Sequence, residues 1–506
     1  MTRRLLVAWG LIALWVSPAW AQHLWPVSAQ LGPECEGWKP AAGGAVSVPC
    51  PPGAVGGGTS LVIPHPYRTQ YEPSPIPCGV PTRTTLARLG LERHWMAYAP
   101  LAGDERIIGI SLSDGILFAR SNKGYLHAFD IESGRPMWTA RLGLATSRFT
   151  PPATNSFAVF VANLDTLYAL DRNTGVILWR QGMSTLPSCP TTADEERVVV
   201  GLSSGKLYGY NLKTTEAGKT SISNHPIDAW NWQTAGSIVT RPLLAGKFIV
   251  FGSQDGKVYV AMSEEPTMLY RIATAGPIGN GFGALGTRTL LVPSADRNLY
   301  AIDLFTSKVL WTYPSAAPIQ QEPLVSQNDV YIVNLAGMLT SVDPTAGSPK
   351  WSISTQGGPL ITVGSKRIYL KSHDEDLFIV DRSTGQMLSD PRSTHERAGL
   401  NLRCFEFNPT NRFNDRLYFA NTSGLILALR EAGTIAPTPH RDPKQPPFGT
   451  IPQEGVSLVP RPAQPPAEPA PGAEGAVPAP DGAMPAPGEN APPPEGDKPG
   501  ETNNNP

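Results

Sequence analysis

Between residues 92 and 432 short apolar runs alternate with turn-forming Asp, Asn, Ser and Gly, and one phrase recurs eight times. Its fullest forms are L-H-A-F-D-I-E-S-G-R-P-M-W at Leu126–Trp138 and L-Y-A-L-D-R-N-T-G-V-I-L-W at Leu167–Trp179. Two more stand at Leu299–Trp311 and Leu339–Trp351. Shorter copies are L-Y-G-Y-N at Leu207–Asn211, V-Y-V-A-M at Val258–Met262, L-F-I-V-D at Leu377–Asp381 and L-I-L-A-L-R at Leu425–Arg430. The positions equivalent to the Asp (130, 171, 211, 262, 303, 343, 381, 430) are separated by 41, 40, 51, 41, 40, 38 and 49 residues. A period near forty built from short strands predicts a propeller, whereas helical solenoids carry helical spacing.

Within each copy the alternating apolar positions describe a strand buried between neighbouring sheets. Asp at the strand end bonds the backbone two residues on, and the following Gly accepts a left-handed turn. The Trp eight residues after the Asp starts the next strand, where its ring fills the seam between blades and its N–H reaches a carbonyl. Earlier strands are expected at Ile116–Arg120, Ala158–Ala162, Arg197–Gly201 and Phe248–Gly252, with two-residue turns such as Asp255-Gly256 and Ser204-Gly205. The eighth copy lacks a Trp strand, and Glu92–Tyr98, around Trp95, has the look of that missing strand. Its pairing there would close the ring and remove exposed edges. The expectation is an all-β, eight-bladed propeller of four-stranded antiparallel blades over 92–432, about 43 residues per blade.

The pattern A-x-D-x-x-T-G-x-x-x-W, whole at Ala169–Trp179 and nearly whole at Ala128–Trp138, resembles the tryptophan-docking repeat of the PQQ-like propeller superfamily. The resemblance covers about two thirds of the chain. It implies a structural docking set of Trp95, Asp130, Gly134, Trp138, Asp171, Gly175, Trp179, Asp303, Trp311, Asp343, Gly347, Trp351, Asp381 and Gly385. The superfamily holds both quinoprotein dehydrogenases, which use pyrroloquinoline quinone with calcium, and non-enzymatic BamB-like scaffolds, and a fold alone does not choose between them.

The ends of the chain bear on compartment. Residues 1–21 carry Arg3 and Arg4, an apolar run from Leu5 to Val16 and Ala19-Trp20-Ala21, the three parts of a secretory signal cleaved before Gln22. The run is shorter than the roughly 20 residues of a membrane span, so no transmembrane segment is expected. No cysteine follows the cleavage site. That departs from the lipid-anchored form of BamB-like proteins and favours a free periplasmic or peripherally membrane-bound state. Residues 22–91 form a Pro/Gly-rich extension with Cys35, Cys50 and Cys78, two of which are expected to pair in an oxidising compartment. Cys189 and Cys404 read as buried small apolar residues. Residues 433–506 read as a Pro-rich disordered tail: 21 of the 53 prolines lie in 436–506, with nine acidic and four basic side chains. That segment carries −5 of a whole-chain −1, leaving +4 on the rest, and no nucleic-acid surface is indicated.

Enzyme chemistry lacks its parts. There is no adjacent cysteine pair, no C-x-x-C and no G-x-S-x-G opening a helix. His373-Asp374-Glu375-Asp376 lies between two strands and reads as a solvated hairpin turn, without a Gly-centred calcium loop. Asp194-Glu195-Glu196 and Glu264-Glu265 read as solvated loop charges. The segments His225–Gln233 and Arg403–Phe413 carry aromatic residues on expected loops, where a recognition patch could form at the propeller rim; the plainer reading, favoured for Trp232, is that Trp230 and Trp232 substitute for the missing docking tryptophan of the third blade. The sequence therefore predicts an exported, non-catalytic scaffold that binds envelope proteins, with no cofactor. Its alternatives are a quinoprotein-like dehydrogenase using pyrroloquinoline quinone with calcium, or an envelope polysaccharide-binding module.

Overall fold

The computed structural model describes residues 79–451 except 145–148, 217–218, 265–266, 320 and 373–375. Within them the chain folds into eight antiparallel sheets arranged as the blades of a propeller. Seven blades have four strands in sequential order. Blade 1, for instance, runs Ile107–Ser113, Ile116–Ser121, Tyr125–Asp130 and Pro136–Arg141. The repeated phrase is the third strand of each of these blades. Its apolar residues are fully buried because sheets pack on both of its faces, as for Leu126, Ala128 and Phe129.

Blade 8 closes the ring. Its outermost strand is Leu91–Tyr98, which pairs antiparallel with Leu425–Glu431 from Leu91↔Glu431 to Tyr98↔Leu425. Only three strands form this sheet, because the inner position is reduced to the single bridge Phe407↔Ala420. The chain reaches that bridge after a detour through a π-helical turn, Ser393–Arg397.

Three boundaries differ from expectation. The extension before residue 92 includes a capped helix, Arg83–Arg88, whose N-cap Thr82 accepts from Thr85 N at 3.1 Å and whose Leu86 is wholly buried in the blade 7–8 core. At the other end, residues 433–451 are a strap laid across the blades. Arg416, fully buried, donates to Thr434 O and Ile435 O (3.2 and 2.8 Å), and Asn414 bridges Pro439. Gln327 N then donates to His440 O at 2.7 Å, Gly449 N donates to Thr287 O at 2.9 Å, and Phe448 enters the blade 4–5 core. Prolines suit this path, because an extended strap needs few donors of its own and two or three anchors suffice to hold it. Residues 452–506, like Cys35, Cys50 and Cys78, lie outside the described residues. Finally, Ser253–Gly256 and its blade 3 counterpart are four-residue connections, with Gly256 at φ +79°. A two-residue turn with both φ positive does occur at Asp114-Gly115.

Candidate functional site

The docking set is distributed around the rim, with a docking ring on the outer strand of seven of the eight blades; the outer strand of blade 7, Met387–Ser389, carries none. Trp95 Nε1 donates to Ile131 O, Trp138 to Arg172 O and Trp311 to Pro344 O, at 2.8 to 2.9 Å. In each case the acceptor is the residue after the Asp of the following blade. The indole lies over that blade's turn glycine. A Cβ on Gly134, Gly175, Gly347 or Gly385 would stand 2.4 to 2.6 Å from the rings of Trp95, Trp138, Trp311 and Trp351, and all four glycines have φ near +70°. Room on the near side comes from the small residue paired opposite: Ala428, Ala128, Ala169, Ala301 and Ser341 face Trp95, Trp138, Trp179, Trp311 and Trp351. The Asp holds the turn. Asp130, Asp171, Asp303, Asp343 and Asp381 each accept from backbone N–H groups two or three residues on. These bonds push the carboxyls of Asp343 and Asp381 down to about 2, the side-chain donors Thr345 and Ser383 leading.

Two junctions use other residues. In blade 3 it is Trp230 whose Nε1 donates to Ser263 O (3.1 Å), and it sits over Gly209. Trp232, two residues on, is half-buried with its Nε1 unpaired, so of the two tryptophans expected to substitute, Trp230 takes the docking role and Trp232 does not. The strand contains an extra-long register that moves the count from the Asp-equivalent position. In blade 4 a tyrosine substitutes, Tyr270 donating its hydroxyl to Leu304 O.

Blade 3 also departs from the others in length. Lys206–Glu216 and Lys219–Gln233 pair beyond Asn211↔Ile227, after a register shift, out to Glu216↔Lys219. The second strand of the blade stops at Arg197↔Asn211. From Lys213 to Glu216 the arm therefore has no pairing partner other than its own return strand among the described residues.

At the propeller axis two cavities of about 380 and 350 Å3 share Arg241, Glu322, Pro323, Leu324, Arg412 and Phe413. Glu322 Oε1 is 3.6 Å from Arg412 Nη1, and the Arg412 guanidinium lies 5.1 Å from the centre of the Phe413 ring. Burial pushes the Glu322 carboxyl up to about 7, with the Arg241 charge opposing. Sequence reading did not find this cluster, since its members come from blades 4, 6 and 8. A signal existed: Arg241-Pro242-Leu243 and Glu322-Pro323-Leu324 occupy the same place, just before the inner strand of their blades.

Other candidates resolve as structure. Phe405 is buried against Phe419, Phe407 forms the blade 8 bridge and Phe413 lines the axial cavities, so Arg403–Phe413 makes no aromatic rim patch. Of the acidic turn, His373, Asp374 and Glu375 lie outside the described residues. Asp376 is not solvated, being buried with an ion pair to Arg403 at 3.2 Å and the His395 ring 3.6 Å away. Asp194 caps its own turn by accepting from Glu196 N and Arg197 N, while Glu195 and Glu196 are exposed. Glu264 pairs with Lys247 at 3.6 Å, and Glu265 lies outside the described residues. Cys189 is a free buried thiol, pushed up to about 12 by burial. Cys404 is half-buried and disulfide-bonded, so its expected reading as a buried apolar thiol fails. No group of three or more His, Cys, Asp or Glu is placed to hold a metal ion among the described residues.

A family model described as outer membrane protein assembly factor BamB matches residues 81–267 and 260–438. The BamB of Shewanella oneidensis is 26% identical over 344 residues, covering 62% of this chain and 82% of that protein. The Escherichia coli protein of the same name is 29% identical over 154 residues, 29% of this chain and 34% of that protein. Among solved structures, BamB from Moraxella catarrhalis superposes with a TM-score of 0.54 at 16% identity, covering 68% of this chain and 98% of that chain.

Proposed function

Because the chain belongs to the outer membrane protein assembly factor BamB family of PQQ-like propellers, we propose that it is a non-catalytic scaffold of the cell envelope that holds a protein partner during assembly of outer-membrane proteins. The observation that carries this reading is the blade 3 arm. Past Asn211 it offers main-chain N–H and C=O groups on strand edges that no other strand of the blade covers. A rigid disc with one protruding ribbon suits recognition of an extended partner segment by strand addition, which takes affinity from the backbone and selectivity from alternate side chains. Export through the signal at Met1–Ala21 and residence in the periplasm are part of the same proposal.

The test is replacement of Lys213–Pro226 by a short Asn-Gly turn in the full chain, which keeps the Asn211–Ile227 pair of the blade body, followed by in vivo photo-cross-linking in a Gram-negative envelope. The proposal expects an outer-membrane assembly protein cross-linked to arm positions in the unaltered chain and absent from the shortened one, at equal protein level. Unchanged cross-linking in the shortened chain, or cross-linking only to unrelated abundant proteins, would sink it.

A further inference from the structure

The axial cluster is unbalanced in charge. Two guanidinium groups, Arg241 and Arg412, face one carboxylate, Glu322, at the waist where the two cavities meet. Arg412 is the ion-pair partner of Glu322. The Nε of Arg241 is buried and has no hydrogen-bond partner. Blade 5 carries Gly281 beside Glu322, where a Cβ would stand 2.6 Å from Glu322 Oε2 and push the carboxylate from its present position. Asp114, the other acid bordering these cavities, is engaged with Arg172 at 3.4 Å. On the strap, Arg441 adds a further positive charge to the wall of the second cavity. The side chains of Arg412 and Glu322 are 32% and 35% exposed, but a buried donor left without an acceptor is costly, so an anion that reaches Arg241 stabilises the cluster.

The remaining wall selects among anions. Ile110, Leu112 and Pro151 give the first cavity an apolar stretch of wall, while Asn280 and Gln321 beside them donate to backbone carbonyls and Ser111 adds an unpaired hydroxyl. Glu322 opposes a doubly charged ligand, while a planar guanidinium fork matches a carboxylate with two parallel bonds. We propose that the waist of the propeller axis is a binding site for a small monoanionic organic carboxylate, its carboxylate on Arg241 and Arg412 and its apolar body against the proline- and leucine-lined wall. This site is separate from the blade 3 arm, and neither reading depends on the other.

Isothermal titration of the full chain with benzoate, at constant ionic strength set by chloride, tests it; inorganic phosphate is the comparison arm. Saturable one-site binding of benzoate is expected, with phosphate weaker. Arg241→Met should weaken benzoate by roughly tenfold or more, the value of a charge-assisted pair. Glu322→Gln keeps the side-chain shape and removes the opposing charge, so at pH 8, above the raised Glu322 value of about 7, it should bind benzoate roughly threefold or more tightly, a readout that does not rely on the Arg241 variant folding. No saturable heat up to about 10 mM benzoate, phosphate tighter than benzoate, or unchanged affinity in Glu322→Gln would overturn the proposal.

Discussion

At the residue scale, the docking tryptophan is a compound device. Its ring takes up about 200 Å2 of buried surface, its N–H satisfies a carbonyl that the turn leaves exposed, and the small residue opposite makes room for it. Trp230→Ala should therefore cost about 3–5 kcal/mol, the range for emptying a buried aromatic site, while Trp232→Ala should cost less than about 1 kcal/mol. Urea denaturation of the two variants separates them, and equal losses would return the docking role to Trp232. Gly175→Ala meets both a φ of +70° and the Trp138 ring, so it should destabilise by more than the ~1 kcal/mol of an ordinary glycine substitution. The turn carboxylates set an acid limit. Asp343 and Asp381 are depressed to about 2 in the fold, so their contribution is complete above the ordinary carboxylate value of 3.8 and is lost as pH falls through about 2. Alanine at either position should flatten the stability profile over that window, as read from melting temperature against pH.

The elements were legible in the sequence where they repeat and obscure where they do not. Asp130-x-x-x-Gly134-x-x-x-Trp138 states a turn, a left-handed residue and a docking ring at fixed spacing, and local chemistry alone enforces that order. Trp230 and Trp232 could not be told apart as the docking residue because the blade 3 strands run on past the turn position, so counting from Asn211 loses its frame. The strap was hidden by its composition, since a Pro-rich segment of low apolar content reads as tail until three anchors, His440, Phe448 and Gly449, are seen in place. Arg241, Glu322 and Arg412 are brought together by closure of the ring; the matching Arg-Pro-Leu and Glu-Pro-Leu of blades 4 and 6 mark equivalent positions, but nothing local to Arg412 announces that blade 8 meets them. The strap's buried anchor has its own pH signature. His440 bonds Ser326 Oγ at 3.0 Å and Thr362 Oγ1 at 3.2 Å, and burial lowers it to about 4. Below the ordinary value of 6.5 the unfolded chain takes a proton that the folded chain refuses, so this anchor weakens as pH falls from about 6.5 to about 4 and then levels off. Hydrogen exchange over 438–449 should rise across that interval, and His440→Gln should remove the pH dependence.

At the scale of the whole molecule the ring is held by seven sequence-local junctions and one long-range one. Strands within each blade are neighbours in the chain, but Leu91–Tyr98 meets Leu425–Glu431 across more than three hundred residues. Deleting residues 79–98 leaves the last blade with a bare apolar edge and should produce concentration-dependent aggregates that the full chain does not form, measurable by light scattering, whereas replacing the blade 3 arm should leave the melting temperature within a few degrees. Closure also carries a consequence for how the chain is born. The strand that seals the disc is made first and its partner nearly last, so for most of synthesis the N-terminal strand has no place to dock. An unfinished chain cannot be mistaken for a finished one: until the eighth blade is present the molecule has an open seam that any quality-control protease or holdase can read, and the seam vanishes only when the count is complete.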